Sequence, residues 1–279
     1  MILATQTDRP AIEAFLRARI ATSMFPLSNL RRHGMTGGHD RAVQFWVKWH
    51  AGVLTDVLTV SDGGFIFPNC PTAPWGEVRV VLAGMQVTGL LGDGVQVASL
   101  RRALALPDLA GVDTVEPLYR LPLADLLLPD LTGFTLAPLS DAPRDLVVGW
   151  RRTYLEEVFP MPGEDFQMCA EDDINAYAAL DSHRVLYQDG VPVAMTGFNA
   201  VLSEAVQIGG VYTPAALRSR GLARRAVAMH LGEARENGVR EAVLFAASPQ
   251  AARAYEAIGF TRVGDFAVVL FDEPQVIHV

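Results

Sequence analysis

Apolar residues recur along this chain with two periods. Between Arg9 and Arg19 they fall at Ile12 and Phe15 and continue to Ile20, a helical spacing, and a second short helix is predicted around Met24–Arg32. Three β-branched and aromatic runs follow, Val43–Trp49, Val53–Val60 and Phe65–Phe67. His50-Ala51-Gly52 and Asp62-Gly63-Gly64 separate them as hairpin-type turns. The spacing then predicts a helix over Pro71–Met85, a strand at Val87–Leu91, a helix over Val95–Leu106 and a strand at Thr114–Leu123.

The order repeats. Phe134–Leu139 reads as a strand, Asp141–Phe159 as a helix capped by Asp141, and Phe166–Leu180 as a further helix. Arg184–Gln188 and Val191–Val201 read as strands joined by an Asp189-Gly190 turn. Ala205–Tyr212 is a strand, Gly221–Asn237 a helix, Ala242–Ala246 a strand, and Pro249–Ile258 a helix stopped by Gly259. Phe260–Val263 and Ala267–Phe271 close the chain as two strands. Four prolines between Pro122 and Pro143 place the domain boundary near Asp130, so residues 1–130 and 131–279 are expected as two α/β domains with mixed sheets. A length of 279 residues suits two domains of ~100–200 residues each.

Composition narrows the function. The chain holds 23 basic against 31 acidic side chains, a net charge of −8, which argues against a nucleic-acid surface. Residues 1–130 carry 11 basic and 12 acidic groups, residues 131–279 carry 12 and 19. Two cysteines, Cys70 and Cys169, exclude a disulfide framework. The histidines show no ligand spacing, so no metal is expected. The longest apolar runs are broken by Pro122 and Asp125 and fall short of the ~20 residues of a membrane span. With no targeting segment evident, a cytoplasmic location with no membrane association is expected.

The acidic second half nevertheless contains four arginines and no acid between Arg218 and Arg225. Here Ile208-Gly-Gly-Val-Tyr-Thr-Pro-Ala-Ala-Leu-Arg-Ser-Arg-Gly-Leu-Ala223 runs from a strand through a short loop into a helix. A helix N-terminus offers unpaired N–H groups and the positive end of its dipole, and guanidinium groups suit phosphate oxygens. The segment reads as a pyrophosphate cradle, with a solvated basic turn as the plainer alternative.

Arg218-x-x-Gly221-x-Ala223 resembles the Q/R-x-x-G-x-G/A signature of the GCN5-related N-acetyltransferases (GNAT). Ser248-x-x-Ala251-x-x-x-Tyr255-x-x-x-Gly259-Phe260 is similar to that family's second motif, with serine where asparagine is usual. The resemblance covers about residues 131–279. It implies tandem GNAT-like domains, the N-terminal one degenerate, and acetyl-CoA as co-substrate. It makes Val211, Tyr212 and Thr213 the strand contacts of the cofactor, sets Arg218, Ser219, Arg220, Gly221, Leu222, Ala223 and Arg224 around the pyrophosphate, and adds Ser248 to the cofactor contacts. Tyr255 is implied as the acid that protonates the departing thiolate, a role its phenol suits.

Glu204, at the start of the cofactor strand, and Glu157, on a helix that borders the acceptor pocket in that family, are the candidate bases, beside Glu156 or a bound water. From Glu156 to Asp173 there are seven acids and no base, including Glu164, which reads as an exposed polar face or as an acidic lip for a cationic amine. In the first half, Gly89–Gly94 occupies the place expected for a second cradle, where Asp93 would repel phosphate. The function implied is transfer of an acetyl group to a primary amine of a small molecule or peptide, by a monomer or homodimer. The alternatives are a non-catalytic acyl-CoA sensor and a structural domain.

Overall fold

The computed structural model describes residues 1–278 except Thr36, Leu109 and 159–164. Glu164 and the end of the expected helix at Phe159 lie outside the described residues. In chain order the elements are β1 (Ile2–Leu3), α1 (Arg9–Arg17), α2 (Ile20–His33), β2 (Val43–His50), β3 (Val53–Ser61), β4 (Phe65–Asn69), α3 (Trp75–Leu82), β5 (Gln86–Asp93), α4 (Gly94–Ala103) and β6 (Val112–Pro122). They continue with β7 (Phe134–Pro138), α5 (Arg144–Val158), α6 (Phe166–Ala179), β8 (His183–Gln188), β9 (Val191–Val201), β10 (Ala205–Tyr212), α7 (Leu222–Glu236), β11 (Glu241–Phe245), α8 (Pro249–Glu256) and β12 (Thr261–Val276). Two hairpins turn on residue pairs with positive φ, Ala51-Gly52 and Asp189-Gly190, which suits the twist of the strands they join.

Two expectations are corrected. Asp141 ends a 3-10 turn at Leu139–Asp141 rather than capping α5, because Pro143 starts the backbone pattern that begins the helix at Arg144. The last two expected strands are one, β12, whose 16 residues run unbroken through Gly264.

The chain forms two compact units. Residues 1–117 and 264–279 make the first, and residues 118–263 the second. The division falls at Pro117 and not at Asp130, and the second half of the sequence gives its last strand away. In the first unit β1, β2, β3, β4 and β5 lie in that order, with β12 antiparallel to β5 through Phe266↔Asp93 to Val276↔Gln86. In the second unit the order is β7, β8, β9, β10, β11, then the end of β6, antiparallel to β11 through Leu118↔Phe245 to Pro122↔Glu241. Each unit therefore takes its last antiparallel strand from the other half of the sequence.

Burial follows this exchange. Ala267, Val269, Phe271 and Ile277 fill the first core beside Leu58, Ile66, Leu82, Leu90 and Leu100. Tyr119 and Leu121 fill the second beside Ile208, Leu231, Leu244 and Ile258.

The sheet of the second unit is covered on both faces. Val185 and Met195 pack with Trp150, Leu155, Ala170 and Ile174 of α5 and α6, while their chain neighbours Leu186 and Ala194 pack with Leu222 and Ala226 of α7. The two-residue alternation of β8 and β9 thus sorts one layer of helices from the other.

Candidate active site

β10 and β11 are parallel and paired only at their first residues, Ala205↔Glu241, Val206↔Ala242 and Gln207↔Val243. Beyond Gln207 β10 pairs on its other side alone, with β9, and does so through two register shifts, at Gln207/Ile208 and between Gly209 and Tyr212. Gly210 stands in the second shift with φ +62°. The parallel pair thus parts toward its C-terminal ends, where the chain leaves β10 for the loop 213–221.

That loop is built to present backbone N–H groups. Pro214 leads into one 3-10 turn, Ala215–Leu217, and then Ser219 and Gly221 both take left-handed φ, +65° and +72°. Gly221 is the N-cap of α7 and brings no side chain to cap it, so the first-turn N–H groups of a 15-residue helix face outward. A Cβ on Gly221 would lie 3.0 Å from Nη1 of Arg225 and 3.5 Å from Nη2 of Arg224. Arg225 folds back on the loop, donating from Nη1 to the carbonyls of Arg220 and Gly221 and from Nε to that of Asp130.

Two buried polar atoms at the loop, Thr213 Oγ1 and Arg224 Nε, find no partner. An unpaired buried polar atom costs about 1–3 kcal/mol, which a bound polar ligand would recover. Glycine where a side chain would intrude, an open helix N-terminus, clustered arginines and orphaned donors together fit a nucleotide pyrophosphate.

The structure brings most of the expected residues together. Val211, Tyr212 and Thr213 end β10, Arg218 to Arg224 form the loop and the first turn of α7, and Ser248 caps α8 by accepting from Ala251 N at 3.2 Å. Tyr255 is buried in α8, edge-on to Phe260 at 6.0 Å between ring centres.

Two carboxylates stand differently from expectation. Glu157 reaches the loop but as an ion pair, accepting from Arg218 Nη2 at 2.6 and 2.9 Å. Glu204 stands at the paired end of β10, in the turn where its carbonyl accepts from Arg240 N and its carboxylate from Ser203 Oγ. The eight-residue strand separates it from the loop. Four other acids of this stretch are also engaged: Glu156 with Arg152, Asp173 with Arg151, Asp165 as the cap of α6 and Glu171 with Gln167.

One polar group at the bulge had no signal in the spacing of histidines. His183 opens β8 in the row His183↔Gly197↔Gly209 across three strands, and its ring lies over Gly197, 2.1 Å from where a Cβ would stand. The ring stacks on Tyr177 at 3.6 Å, and Nδ1 meets Ser182 Oγ at 2.9 Å. Nε2 is buried without a partner. Burial, aided by the nearby Arg151 and Arg184 charges, holds its pKa down to about 3, so the imidazole stays neutral. Glycines inside a strand mark close approach, and Gly197, Gly209 and Gly210 were the available hint.

The first unit repeats the frame without the cradle. β4 and β5 are parallel and joined through α3, so the counterpart of the 213–221 loop follows β4, at residues 70–74, and not at Gly89–Gly94, which lies in and just after β5. Its donors are already taken. Thr72 gives both N–H and Oγ1 to the buried carboxylate of Asp56, and Cys70 N–H goes to Gln96 Oε1. Asp93 instead caps α4, accepting from Val95 N and Gln96 N.

A mixed α/β unit with a parting parallel pair and an uncapped helix behind it, preceded by a second unit of the same frame, defines a tandem acetyltransferase fold. Residues 149–260 match the model of the acetyltransferase (GNAT) family. Similar solved structures include a GCN5-related N-acetyltransferase from Kribbella flavida, at TM-score 0.54 and 18% identity, with 91% of this chain and 95% of that one covered. A Drosophila protein is similar at TM-score 0.62 and 12% identity over 97% and 98% of the chains. A tandem GNAT protein from the clavulanic acid biosynthesis pathway is similar at 0.53 and 14% over 98% and 100%. At these identities the likeness is one of fold. No curated protein matches the sequence. Among the described residues no cluster of ligands for a metal ion occurs, and no helix is long and apolar enough to cross a membrane.

Proposed function

We propose that the second unit transfers an acetyl group from acetyl-CoA directly to a primary amine of a small molecule or peptide. The observation that carries this reading is the parting of β10 from β11 after Gln207, ending at an uncapped α7 ringed by arginines. In this reading the loop from Arg218 to Arg224 holds the pyrophosphate, and the unpaired edge of β10 from Val211 to Thr213 holds the pantetheine arm. Backbone N–H groups near Val211 polarise the acyl oxygen. The neutral amine attacks the acyl carbon, the N–C bond forms, the C–S bond breaks with its electron pair going to sulfur, Tyr255 supplies a proton to the thiolate, and the proton lost by nitrogen restores the phenol. Asp56 and Asp93 leave the first unit without a cofactor role. The reading extends to a monomer or homodimer in the cytoplasm.

The sensor reading has one observation in its favour: Glu157 is paired and Glu204 stands at the closed end of β10, so neither faces the bulge. Calorimetry with acetyl-CoA, followed by product detection with an aminoglycoside, a polyamine, free amino acids and a peptide N-terminus, separates the two. Acetylated product supports the transferase; binding without product supports the sensor; no binding refutes both.

A further inference from the structure

The imidazole of His183 lies flat on the sheet with one nitrogen satisfied and the other aimed at the bulge of the cofactor strand. Nε2 stands 2.6 Å from the position a Cβ would take on Gly210, the residue whose φ of +62° breaks the pairing of β10 with β9. The ring has no freedom to turn elsewhere. Tyr177 of α6 covers it with planes only 11° apart, Gly197 lies beneath it, and Nδ1 is held by Ser182 Oγ. Gln207, where β10 begins to part from β11, buries an Oε1 that is likewise unpartnered. Polar atoms without partners therefore collect at the point where the parallel pair opens. A protein retains such atoms where something else completes them.

We propose that His183 is a catalytic residue that contacts the acceptor: its Nε2 accepts a hydrogen bond from the neutral amine and aims the amine lone pair at the acyl carbon beside Gly210. This inference rests on the transferase reading. It also settles which tautomer is needed. An attacking amine has N–H donors and one lone pair, and the lone pair must form the new N–C bond, so its partner must accept. Nδ1 then carries the imidazole proton and donates it to Ser182 Oγ.

On the ring's side of the sheet stand Arg151 of α5 and Tyr177 of α6, Ser182 holds Nδ1, and Arg184, turned to Glu233 of α7 on the other face, and His230 of α7 act through charge alone. Two arginines and deep burial oppose a second proton on the ring, so His183 orients the amine and does not keep its proton. In the balanced step the N–C bond forms, the C–S bond breaks with its pair on sulfur, and the proton lost by nitrogen restores the Tyr255 phenol that protonated the thiolate. His183 thus fills a place that neither Glu157 nor Glu204 reaches.

The test combines one spectroscopic and one kinetic readout. In wild-type protein labelled with [15N]histidine and held with desulfo-CoA, Nε2 of His183 is expected to be unprotonated, and its resonance to move when the best amine of the panel is added. A protonated Nε2, or a resonance indifferent to the amine, overturns the proposal. His183→Leu is expected to lower kcat for amine transfer at least tenfold, with Kd for acetyl-CoA unchanged. His183→Gln, which keeps an acceptor, is expected to retain more activity than His183→Leu at equal thermal stability. Unchanged kcat and KM in His183→Leu would overturn the assignment while leaving the transferase intact. If wild-type protein neither binds acetyl-CoA nor acetylates any amine, the transferase reading itself falls and His183 with it. Should the leucine variant not fold, the wild-type resonance and the glutamine variant decide.

Discussion

Nη2 of Arg218 lies 2.6 Å from one carboxylate oxygen of Glu157 and 2.9 Å from the other, while Nε of the same guanidinium donates to the carbonyl of Thr213. The arginine that opens the proposed cofactor loop is thus tethered to α5 and to the end of β10. Both side chains are about half exposed, and pairs of this kind contribute at most ~1 kcal/mol. Glu157→Gln should therefore free Arg218 for phosphate and tighten acetyl-CoA binding by roughly two- to fivefold. Calorimetry checks this, with kcat measured beside it. A loss of kcat with unchanged affinity would show Glu157 acting on the amine instead.

Gly221 and Asp93 hold the same position, the N-cap of a helix, with opposite chemistry. Asp93 fills its helix end with its own carboxylate, whereas Gly221 leaves α7 open. Gly221→Glu adds a carboxylate beside the cradle and a Cβ at φ +72°, a strain of order 1–3 kcal/mol. Acetyl-CoA affinity is expected to fall by about 100-fold or more. Gly221→Ala, which adds strain without charge, should lose less. Equal affinity in all three proteins would refute the cradle.

Tyr255 is buried beside Phe260 and keeps its place by packing, so Tyr255→Phe preserves the contact and removes only the hydroxyl. As a general acid it should account for roughly 10²-fold in kcat, with little change in Kd for acetyl-CoA. Presteady-state release of CoA thiol gives the measurement, and an unaltered rate would remove Tyr255 from the proton path.

His183 and His230 predict the acid stability of the fold. Burial depresses both pKa values, that of His183 to about 3. As pH falls below the ordinary value of 6.5, the unfolded chain takes up these protons and the native one does not, so stability falls with falling pH. Through His183 this should cost about 1.4 kcal/mol per pH unit, hence about 2 kcal/mol by pH 5, and His230 acts in the same direction. Urea titrations from pH 7 to 5 test the slope, which replacement of either histidine by glutamine should reduce.

The exchanged strands predict that neither half of the sequence folds alone. A fragment of residues 131–279 lacks Tyr119 and Leu121, and one of residues 1–130 lacks Val269 and Phe271. Each such buried side chain contributes ~1.5–3 kcal/mol, a large share of the net stability of a domain. Circular dichroism should show each fragment without a cooperative transition, and a transition restored on coexpression. A stable 131–279 fragment would contradict the exchange.

Much of this architecture is written locally. Ala205–Tyr212 and Val191–Val201 were predicted to the residue, because β-branched runs end at residues that cannot continue them. Asp189-Gly190 demanded positive φ, a property of a residue and its immediate neighbours. The open start of α7 was legible for the same reason: a helix start needs only a few consecutive residues to leave its N–H groups open.

What tertiary structure alone decided involves partners far apart in the chain. No period in the sequence joins Glu157 to Arg218, Thr72 to Asp56, or His183 to Gly210. Strand pairing is equally blind to sequence order, since any strand of suitable pattern completes a sheet edge. The sequence by itself thus determined most of the elements and their order, and marked the loop 213–221 as a candidate anion site. The exchange of β6 and β12, the pairing of Glu157 and the placing of a neutral imidazole at the bulge came from packing between distant residues, which no local pattern encodes.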